Sequence, residues 1–148
     1  MNILLGSRDW QDVQPLLTVI IVTRSRAAFL QRALRSLEVQ DLRPIDVIII
    51  VDDCKLTCRF LDALSVAHGA IRSIKWLNLT RGSNDHSGPK RLAGLRNYAL
   101  QLVETRWCSY LDDDNELEPS HLSSLLECVS VSGLPAAHSW RSLWTQDG

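Results

Sequence analysis

Runs of β-branched and aliphatic residues alternate along the chain with stretches whose apolar positions recur every three or four residues. That is the pattern of strands buried on both faces, set between amphipathic helices. Leu17-Thr18-Val19-Ile20-Ile21-Val22 predicts the first strand, and Thr23-Arg24-Ser25-Arg26 breaks it. Phe29, Leu30, Ala33, Leu34 and Leu37 then fall at helical spacing in a stretch ending near Val39. Pro44 marks a loop, and Val47-Ile48-Ile49-Ile50-Val51 predicts a second strand running into Asp52-Asp53. Phe60, Leu61, Leu64 and Ala67 predict a helix from Thr57 or Cys58, closed near Gly69, and a strand is expected across Ile71 to Leu79. The polar loop 81–88 leads to Pro89, which suits the first turn of a helix carrying Leu92, Leu95, Ala99 and Leu102. A strand over 107 to 111 follows. Glu118-Pro119 opens a last helix with Leu122, Leu125, Leu126 and Val129 on its stripe, and Ala136 to Leu143 is expected to form a final strand.

Strands alternating with helices imply an α/β fold with a mostly parallel central sheet covered on both faces. In such sheets ligands bind beyond the carboxyl ends of the strands. The polar clusters fall there: Thr23 to Arg26 after the first strand, Asp52-Asp53 after the second, the 81–88 loop after the third and Asp112-Asp113-Asp114-Asn115 after the fourth. Residues 1–15 read as a loosely attached tail, and 16–148 as one domain.

Composition narrows the function classes. The 148 residues are 45% hydrophobic and 22% charged, and 16 basic against 17 acidic residues leave a formal charge of −1, which does not suggest a nucleic-acid or membrane surface. No apolar stretch nears the roughly 20 residues that span a bilayer, and the start Met1-Asn2-Ile3-Leu4-Leu5-Gly6 lacks the features of a secretory leader, so the expected location is the cytoplasm. Cys54, Cys58, Cys108 and Cys128 are sparse and are expected to be reduced thiols. Cys54, Cys58 and His68 do not have the usual zinc spacing, and the sequon at Asn78-Leu79-Thr80 is read as chance.

The aspartate triplet carries the chemistry. Like charges crowded at the end of a buried strand repel, and a divalent cation is one way to offset them; an acidic turn capping the next helix is the other reading. On an extended segment Asp112 and Asp114 point the same way, so that one can touch a ligand while the other holds its metal. Arg96 offers a planar donor fork to a phosphate or a base edge, unless it is simply solvated. Asp52 or Asp53 can accept a hydrogen bond from a ring N–H or a ribose hydroxyl, or cap a helix. A nucleoside diphosphate with a divalent ion accounts for the whole set.

Taken together, Val19 to Arg26, Val47 to Asp53, Gly94-Leu95-Arg96-Asn97 and Tyr110-Leu111-Asp112-Asp113-Asp114-Asn115 with Glu118-Pro119-Ser120-His121-Leu122 resemble the family 2 glycosyltransferases of GT-A fold, over about residues 17 to 145. The resemblance implies a Rossmann-like α/β/α sandwich and inverting transfer of a sugar from a nucleotide donor, UDP- or GDP-linked, to an acceptor hydroxyl. It places Thr23, Arg24, Arg26 and Asp52 or Asp53 around the nucleotide, and Arg96 near the base or phosphates. Asp112 and Asp113 join the donor site, with Asp112 near the ribose, and Asp114 with Asp112 takes Mn²⁺ or Mg²⁺.

The chain departs from the family's pattern at Cys54-Lys55, Ser25 and Gly94. The family's general base lies in a later acceptor half, which is expected to be missing here, and Asp147, His121 and His138 do not match it. A fold truncated after about five strands would leave an open edge near 136–145, so self-association is expected. Two other classes compete: a non-catalytic nucleotide-sugar-binding or interaction module that keeps only the donor half of the fold, and a receiver domain built on Asp52-Asp53. The receiver order is wrong, since its acid pair belongs on the first strand and its acceptor aspartate on the third.

Overall fold

The computed structural model describes residues 1–5, 10, 12–64, 69–82 and 88–143. Along the chain run β1 (Asn2–Leu5), β2 (Leu17–Thr23), α1 (Ala27–Glu38), β3 (Ile45–Asp52), α2 (Lys55–Asp62), β4 (Ile71–Leu79), α3 (Pro89–Leu100), β5 (Trp107–Tyr110) and α4 (His121–Ser132). The strands make one sheet in the order β1-β4-β3-β2-β5. β2 to β5 are mutually parallel, and β1 runs antiparallel to β4. This is the α/β architecture with a mostly parallel sheet that the alternating pattern predicts. No helix among the described residues is long and apolar enough to cross a membrane.

The period of two in the central strands divides their side chains between two cores. Val19 and Ile21 of β2 and Val47, Ile49 and Val51 of β3 pack with Leu30, Leu34 and Leu37 of α1, Leu61 of α2 and Leu122 of α4. Ile20, Ile48 and Ile50 face the other way, onto Leu95 and Ala99 of α3. Every residue of β3 is buried. Each aliphatic side chain fully buried in this way stabilises the fold by about 1.5–3 kcal/mol, so β2 and β3 anchor the domain. Asp46, buried near the start of β3, is held by Arg72 through Nη2 at 2.6 Å and Nε at 3.0 Å, and by the Ser73 hydroxyl at 2.8 Å.

Three expectations give way. The opening residues are not merely a loose tail: Asn2 pairs with Trp76 and Leu5 with Ser73, closing the outer edge of β4. The helix expected to run to Gly69 ends at Asp62; Ala67 lies outside the described residues, and Gly69 meets a different element. A Cβ on Gly69 would sit 2.6 Å from the carbonyl oxygen of Glu38, so its backbone lies directly against the end of α1. The expected strand at 136–143 is absent: these residues form no strand, and Trp140 and Leu143 are exposed. This segment has apolar residues but no β-branched ones, so it lacks the composition that holds an edge strand in place.

Pro119 also falls before the helix it was expected to open. The chain here is held by tertiary bonds, with the Pro119 carbonyl accepting from the Asp41 N–H at 2.9 Å and α4 starting at His121. Gln40, fully buried, completes the clamp. Its Nε2 donates to the carbonyls of Ser36 at 3.0 Å and Glu118 at 2.8 Å, and its Oε1 accepts from the N–H of Leu122 at 3.2 Å. One amide therefore ties the first turn of α4 to the end of α1. Gln40→Leu strands these partners and is expected to lower stability by about 2–3 kcal/mol in urea unfolding; a loss below about 1 kcal/mol contradicts the clamp. Gly69→Ala forces a methyl into the Glu38 backbone and is expected to cost about 1–3 kcal/mol, visible as a lower melting temperature.

Candidate functional site

The C-terminal ends of β2, β3 and β4, together with the segment following β5, lie along one edge of the sheet, because parallel pairing sets Thr23 beside Val51 and Asp52 beside Leu79. Two residues at this edge take left-handed backbone conformations, Ser25 with φ 56° and Asp53 with φ 49°. Such conformations are costly for side-chain-bearing residues and gather at functional sites, although Asp tolerates them better than most.

Exposure alternates within the triplet, but the segment is a turn, closed by the Asn115 N–H on the Asp112 carbonyl at 3.1 Å, and not the extended stretch expected. Asp113 turns inward and is 6% exposed, whereas Asp112 and Asp114 are open to solvent. Asp113 is fixed from two sides: the Thr23 hydroxyl donates to Oδ2 at 2.7 Å, and Arg26 Nη1 donates to Oδ1 at 3.2 Å. The same Arg26 nitrogen reaches Asp114 Oδ2 at 2.8 Å. Arg96 Nη2 donates to Asp112 Oδ1 at 2.5 Å, and its guanidinium stands 5.1 Å from the centre of the Tyr110 ring. Two arginines and a hydroxyl thus offset the repulsion among the three carboxylates, and the charges of Asp113 and Asp114 raise the pKa of Arg26 above its ordinary value.

The two aspartates after β3 separate by environment. Asp52 is buried and committed: Arg81 binds it through Nη2 and through Nε at 3.2 Å, and Arg91 through Nε at 3.1 Å. Burial opposes its charge, but the hydrogen bonds and charges of Arg81 and Arg91 outweigh that penalty and hold its carboxyl below the ordinary range. Asp53 is exposed, and its carboxylate makes no side-chain bond among the described residues. Its N–H bonds to the carbonyls of Leu79 at 3.1 Å and Val51 at 3.2 Å. Arg24 is likewise exposed.

Behind Asp53 lies Cys54, buried, with the Ser25 and Thr57 hydroxyls each 3.3 Å from its sulfur. These contacts, that from Ser25 first, lower the thiol pKa to about 6. No three potential metal ligands converge among the described residues, and His68, the partner weighed for Cys54 and Cys58, lies outside them. Asn78 of the sequon accepts a hydrogen bond from the Cys54 N–H at 3.2 Å, so its amide has a structural use. Of the histidines weighed as a base, His121 is held below its ordinary pKa by burial and His138 is exposed.

The sequence pattern did not single out Arg81, Arg91 or Gln40. Arg91 carried a signal all the same. It lies in the first turn of α3, where the helix dipole disfavours a cation, and its Nη2 bond to the Leu79 carbonyl at 3.0 Å, with that to Asp52, explains the placement. For a divalent ion, the exposed pair Asp112 and Asp114 offers two hard oxygen donors. That fits Mg²⁺ or Mn²⁺ sites in which substrate phosphates and water fill the other positions.

The chain was compared with known proteins. It is 27% identical over 113 residues to the GalNAc(5)-diNAcBac-PP-undecaprenol beta-1,3-glucosyltransferase of Campylobacter jejuni subsp. jejuni serotype O:2, covering 76% of this chain and 34% of that protein. It therefore spans about a third of that relative's length. Among solved structures it is similar to S. aureus TarS, with a TM-score of 0.58 at 18% identity over 79% of this chain and 20% of that one. TarS 1–349 in complex with UDP-GlcNAc gives a TM-score of 0.57 at 18% identity, over 78% of this chain and 31% of that one. These likenesses show a shared fold. The family model described as glycosyl transferase family 2 matches residues 18–132, most of the chain and every candidate site residue, and the chain belongs to that family.

Proposed function

We propose that residues 16–148 build the nucleotide-sugar donor site of a glycosyltransferase that moves a sugar from a UDP- or GDP-sugar to an acceptor hydroxyl with inversion. The observation that carries this reading is the pairing of Arg26 and Arg96 with the Asp112–Asp114 triplet, of which only Asp113 is buried, at the same edge of the sheet as Asp53. The UDP-GlcNAc bound by a structural neighbour of the same fold supports a nucleotide-sugar donor.

Within this site Thr23 positions Asp113, and Arg24, Arg26 and Asp53 surround the nucleotide. Asp53 accepts from the base, because Asp52 is already committed to Arg81 and Arg91. Asp112 faces the ribose, and Arg96, braced on Tyr110, stands near the base or phosphates. Asp114 with Asp112 would hold Mn²⁺ or Mg²⁺, which when bound supplies positive charge against the diphosphate as it leaves. Transfer breaks the bond between the anomeric carbon and the diphosphate oxygen and forms one to the acceptor oxygen. A general base takes the acceptor's proton.

Calorimetric titration of UDP and GDP with and without Mn²⁺ tests the reading. Mn²⁺-dependent binding of one nucleotide, weakened at least roughly tenfold by Asp114→Ala, is expected. Binding of neither nucleotide, or binding that Mn²⁺ and the substitution leave unchanged, overturns it. The alternative of a non-catalytic nucleotide-sugar-binding module is separated by hydrolysis: slow Mn²⁺-dependent release of nucleoside diphosphate from the donor argues against a pure binder. With Trp140 and Leu143 exposed beyond α4, self-association is also expected, and sedimentation showing a monomer over a wide concentration range contradicts it.

A further inference from the structure

Arg26 breaks a local rule. It stands at the N-cap of α1, where the helix's positive end disfavours a cation, and its side chain makes no capping hydrogen bond. What holds it there is one nitrogen shared between Asp113 and Asp114. The two carboxylates are not equivalent. Asp113 is buried and keeps the Thr23 hydroxyl whatever Arg26 does. Asp114 is 45% exposed, and Arg26 is its side-chain partner among the described residues.

The second arginine of the site is held differently. Arg96 is 31% exposed and rests on the Tyr110 ring as well as on Asp112, whereas the side chain of Arg26 is 52% exposed. An exposed ion pair is weak, and a divalent ion offers a carboxylate twice the charge at shorter range. The contact between Arg26 and Asp114 is therefore the one a metal can replace without disturbing the buried part of the cluster.

We propose that Arg26 is an exchangeable counter-cation of the donor site: it holds Asp114 in the metal-free protein, yields it to the divalent ion, and stays tied to Asp113 where it meets the diphosphate. This rests on the donor-site reading above. It also separates two roles that a fixed structural arginine would not. Without nucleotide, Arg26 competes with the metal for Asp114 and repels it. With nucleotide, the same positive charge adds a charge-assisted hydrogen bond to the phosphate oxygens.

Removing the guanidinium should therefore act in opposite directions on two constants. Mn²⁺ binding to the nucleotide-free protein, followed by the electron paramagnetic resonance of free Mn²⁺, is expected to tighten roughly three- to fivefold in Arg26→Ala. UDP or GDP binding at saturating Mn²⁺ is expected to weaken roughly tenfold in the same variant. Arg26→Gln, which keeps a polar side chain of similar reach, should show both signs, so the result stands even where the alanine variant folds poorly by circular dichroism. Mn²⁺ affinity unchanged or weakened, or nucleotide affinity unchanged or tightened, overturns the exchange while leaving the donor site intact, provided that Asp114→Ala still weakens metal-dependent binding at least roughly tenfold. Wild-type protein that takes up neither Mn²⁺ nor nucleotide overturns the donor site, and the exchange with it.

Discussion

The site depends on β2 and β3 being buried on both faces. Strands with Val19, Ile21, Val47 and Ile49 against one layer of helices and Ile20, Ile48 and Ile50 against another have no solvent face on which to carry polar chemistry. Functional groups are displaced to the strand ends, and parallel pairing brings those ends to one edge. The segments carrying Arg24, Arg26 and Asp53 begin directly after the buried strand ends Thr23 and Asp52.

Charge balance at that edge is local and divided by depth. The carboxylates that point inward, Asp52 and Asp113, are each met by arginine, and Asp113 also by a hydroxyl. An inward carboxylate left unpaired would be expensive, so these contacts are structural first. The carboxylates that point outward differ: Asp112 and Asp114 have one arginine each, and Asp53 none among the described residues. The outward set is thus exposed to solvent, while the inward set is fixed by arginine and hydroxyl contacts. Cys54 behind Asp53, with its thiol pKa lowered to about 6 by Ser25 and Thr57, belongs to the supporting layer.

Support also comes from contacts distant in sequence. Gln40 fastens the start of α4 to the end of α1, which fixes the chain just after the aspartate triplet. Gly69 allows the backbone before β4 to lie against Glu38. Arg81, just after β4, and Arg91, in α3, both bond to Asp52 at the end of β3. None of these residues has a periodicity of its own, since each acts on a partner brought near only by folding.

The sequence by itself determined what local periodicity and composition encode. β2, β3, β4 and β5 and the four helices follow from runs of aliphatic residues and helical spacing, and the placement of polar clusters at strand ends follows from the alternation. The same reasoning expected Asp112 and Asp114 on one side of an extended segment; both are exposed, but on a turn. Tertiary structure decided the rest. Asn2–Leu5 became a strand on the open edge of β4, whereas 136–143, with no β-branched residues, pairs with no strand among the described residues although β5 also lies at a sheet edge. It also decided which of two adjacent aspartates is free: Asp52 and Asp53 are chemically alike, and only the convergence of Arg81 and Arg91 on one of them, with a left-handed turn at the other, tells them apart.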